Sequence, residues 1–232
     1  MIPVLITSII NRPDLLDRMF DTIDVPVERS LVVDNGHVGY RREGVTVCEP
    51  PFQSLGWPGT LNFGISQTPE APWWFFTNND AYFEPGVLAQ LVERMERAGG
   101  PLLITDGYTV GALNRAVVDT VGLFDDWSFY PIYFDDNDYS IRCHLAGVPI
   151  EYGKWCLEGD VGETNVASQT IRSDLELARA NNRTWQLNEQ AYVAKWGGLP
   201  GRETFTTPWN LGLPVWATRP DITARAPRLW RP

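Results

Sequence analysis

Two groups of residues in this chain have the types and spacing to do chemistry: Asn78, Asn79 and Asp80 stand side by side, and Asp135, Asp136 and Asp138 crowd together further on. The first trio is rich in oxygen acceptors and ends in a carboxylate, which suits a sugar hydroxyl or a phosphate-bound divalent cation. The same residues also suit a turn that caps a helix. In the second group the carboxylates raise one another's proton affinity, which is how a site obtains a base able to deprotonate a hydroxyl. A helix dipole would also favour acids at its N-terminus, but three are more than a cap needs. Asp34 and Asn35 close another apolar run, where Asp34 is positioned to accept hydrogen bonds from a nucleoside base or ribose, or to form a DNG turn. Glu158, Asp160 and Glu163 follow in a glycine-containing loop as further carboxylates for a metal.

These residues need elements to position them. Trp73 to Phe76 is a short apolar run bounded by Pro72, the pattern of a fully buried strand that delivers Asn78 to Asp80 at its carboxyl end. Open α/β sheets place ligands at that end. Val4 to Ile9 reads as an earlier strand, followed by a helix with Pro13 in its first turn and Leu15, Leu16, Met19, Phe20 and Ile23 on one face. Leu31 to Val33 and Val45 to Cys48 are two more short strands, and strands alternating with a helix point to a parallel sheet. Gln53 to Ser66 begins with Gly and Pro and runs into a helix, so amides near Gly56 and Gly59 can approach a diphosphate. There is no GxxxxGK[ST] loop. A helix with Val87, Leu88, Leu91, Val92 and Met95 on one face follows Pro85 and ends at Gly99 and Gly100.

The second half begins near Leu102 with a strand, a turn and a short helix from Arg115 to Val121. The acidic cluster then leads a helix ending at Gly147, and Val148 to Trp155 suggests a strand. Ala167 to Ala194 reads as a long helical stretch interrupted near Asn181 and Asn182, and the Gly, Pro and aromatic segment beyond is expected to wrap over the core.

The chain has 232 residues, 44% of them hydrophobic, which bounds it to a globular domain with a full core. A net charge of -10 disfavours nucleic acid as a partner, save for a basic arm or frayed terminus at Arg219, Arg225, Arg228 and Arg231. Cys48, Cys143 and Cys156 lack CxxC spacing and indicate buried thiols, neither disulfides nor zinc. No apolar run approaches a membrane span and no basic leader precedes the first strand, so a cytoplasmic protein without a transmembrane segment is expected.

Taken together, the segments VLITSIINRPDLLDRMFDTI, LVVDNG, SLGWPGTLNFGIS, FFTNNDAYFEPGVL and VGLFDDWSFYPIYFDDNDYSIRCHLAG resemble the inverting glycosyltransferases of family two. AKWGGLPGRETFTTPWN is similar to a C-terminal pattern of some members, so the resemblance spans most of residues 1 to 210. It implies an α/β, GT-A fold: a Rossmann-like mixed sheet flanked by helices, with a C-terminal helical and irregular extension. One domain over 1–232 would hold a nucleotide-sugar half (1–100), an acceptor and catalytic half (101–165) and the extension (166–232).

The resemblance further implies that Asp34 reads the base, with Thr7, Ile9, Asn11, Arg12 and Asn35 lining the same pocket. Gly56 and Asn62 would lie near the diphosphate or sugar. Asn78 and Asn79 would contact the donor, and Asp80 would hold Mn2+ or Mg2+. Asp136 would be the general base, with Asp135, Asp138 and Arg142 tuning it or binding acceptor. Asn78 stands where the family's DxD-type motif has an acid. No histidine occurs between residues 155 and 163, so Glu158 or Asp160 would replace the family's metal-ligating histidine. The only histidines are His37, expected in an exposed loop, and His144, expected to be structural. The implied activity is transfer from a nucleotide-diphosphate sugar to a glycan, protein or lipid-linked acceptor. The alternatives are a binding module of the same fold without the chemistry, and a DNA-base glycosyltransferase.

Overall fold

The computed structural model describes residues 1–97, 102–104, 108–153 and 169–219. Seven strands form one sheet: β1 (Ile2–Ile9), β2 (Val27–Asp34), β3 (Val45–Cys48), β4 (Trp73–Thr77), β5 (Leu102–Ile104), β6 (Val110–Asn114) and β7 (Ile150–Tyr152). The helices are α1 (Pro13–Asp21), α2 (Gly56–Gln67), α3 (Val87–Arg97), α4 (Arg115–Val121), α5 (Asp135–Leu145), α6 (Gln169–Arg172) and α7 (Leu175–Trp196). The strand order is β3-β2-β1-β4-β6-β5-β7.

The first four strands are parallel, as alternation of strand and helix predicts, and β1 pairs with β2 on one side and β4 on the other. A crevice at such a switch point is where doubly wound sheets bind ligands. Sequence periodicity missed β6. This strand lies antiparallel between β4 and β5 and makes the sheet mixed. Its contact with β4 needs Gly111, because a Cβ there would fall 2.2 Å from the Phe76 ring.

β4 is buried along its whole length because both of its faces are covered. Trp73 and Phe75 join the core beneath α1 and α3, while Trp74 and Phe76 join the core beneath α2, α4 and α5. Burying each of these rings contributes roughly 1.5–3 kcal/mol, so this strand anchors both layers. A third, smaller cluster of Phe129, Phe134, Tyr192 and Trp196 attaches α7 to α5.

Several boundaries differ from the sequence reading. β2 starts at Val27, well before Leu31, because register with β1 continues from Ile2 to Ile9. β7 covers only Ile150–Tyr152, the residues that pair with β5. The helical stretch breaks at Ser173 and Asp174, and α7 runs unbroken through Asn181 and Asn182. Asp174 is the stronger signal, since its carboxylate caps the amides of Glu176 and Leu177 at 2.8 and 3.0 Å. Two interior asparagines cost under about 1 kcal/mol each, which the packing of Tyr192 and Trp196 outweighs. Cys143 is buried, Cys48 is only half-buried, and His37 and His144 are both exposed. Gly99, Gly100, Cys156, Glu158, Asp160, Glu163, Arg225, Arg228 and Arg231 lie outside the described residues. Among the described residues no helix is long and apolar enough to cross a membrane.

Candidate active site

Asn78 follows β4 directly, and its backbone N–H donates to Thr109 O at 2.9 Å. The neighbouring Tyr108 shares a 2.9 Å hydrogen bond with Ser140, one helical turn beyond Asp136 on α5. The Tyr108 ring also stacks on Phe76, 6.1 Å between centroids. Tyr108 and Thr109 therefore tie the two chemistry-bearing segments to one end of the sheet. Neither residue was singled out by sequence, because an isolated Tyr-Thr pair carries no motif.

On the first side of this hub, α6 is seated on the Asn78–Asp80 turn. Thr170 donates through its hydroxyl to Asn79 Oδ1 at 3.2 Å and through its amide to Asp80 Oδ2 at 3.4 Å. Asn11, just past β1, donates from Nδ2 to Thr170 O at 3.2 Å. Asn11, Asn79 and Asp80 thus meet across the switch point, with Arg12 near enough to feel the charge of Asp80. Arg12 itself is engaged in an ion pair with Asp14. Asp80 is buried, which pushes its carboxyl above the usual range against the opposing pull of Thr170.

Four buried side-chain atoms among the described residues lack a hydrogen-bond partner: Thr7 Oγ1, Asn11 Oδ1, Asn79 Nδ2 and Arg142 Nη2. All four belong to residues expected at the site. Buried polar groups are otherwise nearly always paired, so the three near the β1–β4 crevice have capacity left for a ligand.

Other expected donor residues are spent on structure. Ile9 packs in the core beneath α1. Asp34 is fully buried and accepts the amides of Val38, Gly39 and Tyr40 at 3.0, 2.8 and 3.3 Å, so its carboxylate makes the turn that the DNG sequence also allowed. Asn35 clamps β2 to the start of α2, donating to Thr60 and accepting from Leu55 at 2.7 Å. Asn62 both donates to and accepts from the backbone of Phe124 at 2.9 Å. Gly56, at φ 67°, presses against the segment before α5; a Cβ would sit 2.5 Å from Pro131 O.

On the far side of the hub, the approach to Asp135 and Asp136 is strained. Tyr133 and Phe134 have φ of 80° and 66°, a left-handed conformation that costs on the order of 1–3 kcal/mol per non-glycine residue. Asn188 of α7 holds this turn, donating to Ile132 O at 2.8 Å and Tyr133 O at 3.2 Å. Trp185 braces it from outside, edge-on to Tyr133 and Phe134 at 4.9 and 5.1 Å between centroids.

The three acids have separate fates. Asp135 is buried and its carboxyl is held well above the usual range, first by desolvation and then by the charge of Asp136. Asp136 keeps some exposure and is raised by desolvation, with the Asn137 amide at 2.8 Å opposing. Asp138 is wholly buried, but Lys195 and Arg142 outweigh desolvation and hold it below its ordinary value.

Lys195 Nζ lies 2.8 Å from Asp125 and 2.7 Å from Asp138, Arg142 Nε lies 2.8 Å from Asp138, and Trp196 Nε1 donates to Asp138 at 2.9 Å. Two cations and two anions thus balance in the interior. Asp138 and Arg142 expose no surface, and Asp138 acts on Asp135 through its charge, raising that carboxyl further. Lys195, Asp125 and Asn188 were missed by sequence reading; a lone lysine in an aromatic segment was the only signal.

Among the described residues no three His, Cys, Asp or Glu side chains converge as a metal cage. The donor set is one buried carboxylate, Asp80. That fits a Mg2+ or Mn2+ ion whose remaining oxygen ligands come from substrate phosphates and water, and does not fit an ion held by protein alone.

No protein-family model matches the sequence, and no curated protein does. Solved structures do match. A mannosyltransferase from Pyrobaculum calidifontis, PcManGT, in complex with GDP-Man and Mn2+, aligns at TM-score 0.50 and 15% identity over 85% of this chain and 76% of that one. S. aureus TarS 1-349 in complex with UDP-GlcNAc aligns at TM-score 0.54 and 13% identity over 84% of this chain and 72% of that one. Identity this low speaks to architecture alone: with its mixed seven-stranded sheet flanked by helices, the chain has a GT-A-like glycosyltransferase fold.

Proposed function

We propose that this protein transfers a sugar from a nucleotide-diphosphate donor to an acceptor hydroxyl with inversion, using Asp136 as the general base. The observation that carries this reading is the pair Asp135–Asp136: two carboxyls of raised proton affinity, delivered by a strained turn and joined through Tyr108 and Thr109 to the Asp80 turn. A carboxylate with raised proton affinity is a competent base for a hydroxyl. Asp135 is the more deeply buried and the more strongly raised of the two, so Asp136, which keeps some exposure, is assigned the role of base. Asp138 tunes the pair from within the Lys195 network. Asp136 takes the acceptor's proton as its oxygen displaces the diphosphate from the opposite face of the sugar, which inverts the anomeric centre.

On the donor side, Thr7, Asn11 and Asn79 offer the unspent polar atoms, and Asn78 and Arg12 border them. Asp34 and Asn35 act through the loop they hold, and Gly56 and Asn62 through the placement of α2. A Mn2+ or Mg2+ ion would be held by Asp80 and would supply neutralisation of the leaving diphosphate's charge. The ligands of the two structural neighbours, GDP-Man with Mn2+ and UDP-GlcNAc, support this choice of donor class.

The test is Asp136→Asn. Transfer is expected to fall by about 10²–10⁴ while calorimetry still detects nucleoside-diphosphate binding, since general-base catalysis contributes on that order. Unchanged turnover would remove Asp136 from the role. A second reading, a nucleotide-sugar-binding module without turnover, is favoured by one feature: Thr170 already occupies Asn79 and Asp80. Donor binding with no transfer or hydrolysis in the wild type would select it.

A further inference from the structure

A cavity of about 740 Å³ runs along the outer face of α5, between that helix, β7 and the segment after α7. Its wall includes Asn137, Ser140, His144, Tyr152, Thr204 and Phe205. Such a volume is in the range of sites that enclose a small organic ligand. The groove is distinct from the donor crevice, and it opens beside the candidate base: Asn137 lines it while its amide donates to Asp136 at 2.8 Å. From Asn137 to Leu145 the helix wall extends about 12 Å at 1.5 Å per residue, longer than a single pyranose ring.

The lining identifies the kind of ligand. The lining combines hydroxyls, an amide and an imidazole with the rings of Tyr152 and Phe205 and with aliphatic side chains such as Ile141 and Leu145, and Tyr152 is 63% exposed on an edge strand. Sugars present this same mixture, equatorial hydroxyls around apolar C–H faces that stack on aromatic rings. No lysine or arginine lines the groove among the described residues, and its one carboxylate, Glu203, already accepts Tyr192 Oη and the Gly201 amide. Among the described residues a phosphorylated or otherwise anionic ligand would find no cation there.

We propose that this groove binds a neutral oligosaccharide, the acceptor chain, with its reactive end at Asp136 and its further sugars along Ser140, His144 and Tyr152. The assignment of the chain as acceptor rests on the transferase reading above; the groove's affinity for neutral saccharide does not. The smaller cavity, about 200 Å³ and lined by Arg29, Cys48 and Gln67, lies against β2 and β3 and touches neither acidic segment.

The test titrates isotopically labelled protein with maltotriose, cellotriose and triacetylchitotriose, with sialyllactose as the anionic comparison, and follows backbone amide shifts. At least one neutral trisaccharide is expected to shift the amides of Asn137, Ser140, Thr204 and Phe205, more strongly than sialyllactose does. Tyr152→Ala and His144→Ala, both on exposed side chains, are expected to weaken it tenfold or more. Silence of these amides with all three neutral sugars, or equal affinity in both variants, overturns the proposal. Calorimetry with UDP and GDP plus Mn2+ on the same samples separates the two readings. Lost nucleotide binding with a responsive groove removes the transferase and keeps the saccharide site; intact nucleotide binding with a silent groove does the reverse.

Discussion

Asp135 and Asp136 are adjacent in sequence, yet burial gives them different work. Both are raised, so each binds its proton more tightly folded than unfolded. The folded state therefore holds more protons between the unfolded value, about 4, and the raised folded values, and stability falls as pH rises through that window. Asp135→Asn removes the larger part of this penalty. Its melting temperature is expected to exceed that of the wild type at pH 7 to 8 and to vary less with pH, as thermal denaturation across a pH series would reveal. Asp138 has the opposite sign. Its depressed value contributes stability above the ordinary carboxylate range that is lost as pH falls through the folded value. With Asp136 as the proposed base, transfer is expected to rise with pH over a limb centred above the ordinary carboxylate range, and Asp136→Asn is expected to abolish that limb in a kcat/KM profile.

At the scale of elements, α7 is what holds the catalytic end of α5. It reaches α5 through Asn188 on the strained turn and Lys195 in the buried charge network. Removing one partner of a buried network leaves uncompensated charge and costs about 3–5 kcal/mol, so Lys195→Met is expected to lower urea stability by that order. The exposed pair Arg97–Glu93 on α3 provides the contrast, with Glu93→Gln expected to change stability by less than about 1 kcal/mol. Asn188→Ala leaves the carbonyls of Ile132 and Tyr133 without their donor and releases the left-handed turn. A loss of about 1–3 kcal/mol is expected in denaturant titration, with a larger fall in kcat than the stability loss alone would bring.

At the scale of the molecule, the antiparallel seam of β4 and β6 joins the two halves and brings the Asp80 turn and the start of α5 to one end of the sheet. In the proposed reading, a donor crevice at the β1–β4 switch point and an acceptor groove along α5 share Asp136 between them. With Asp80 the lone acidic candidate for a metal ligand among the described residues, Asp80→Asn is expected to erase the Mn2+-dependent part of nucleoside-diphosphate affinity. Calorimetry with and without Mn2+ checks this; a metal increment that survives the substitution would assign the ion to other ligands.

Much of this was legible in one dimension, and the reason is local. Trp73 to Thr77 announces a two-sided buried strand because four consecutive aromatic residues cannot face water on alternate sides, and Pro13, Gly and apolar spacing mark α1, α2 and α3 by rules that act within a turn or two. The family resemblance, rather than those local rules, picked out the residues whose buried atoms remain unpaired, Thr7, Asn11, Asn79 and Arg142. What local spacing does not encode is who neutralises whom. Asp34 became a loop anchor, Thr170 settled on Asn79 and Asp80, β6 inserted between β4 and β5, and Lys195 found Asp125 and Asp138, because burial makes each polar group seek a partner wherever the chain happens to return. The sequence alone determined most of the strands and helices and singled out the two acidic segments. Only the tertiary structure, through desolvation and distant partners, decided that Asp135 and Asp136 are raised while Asp138 is held low.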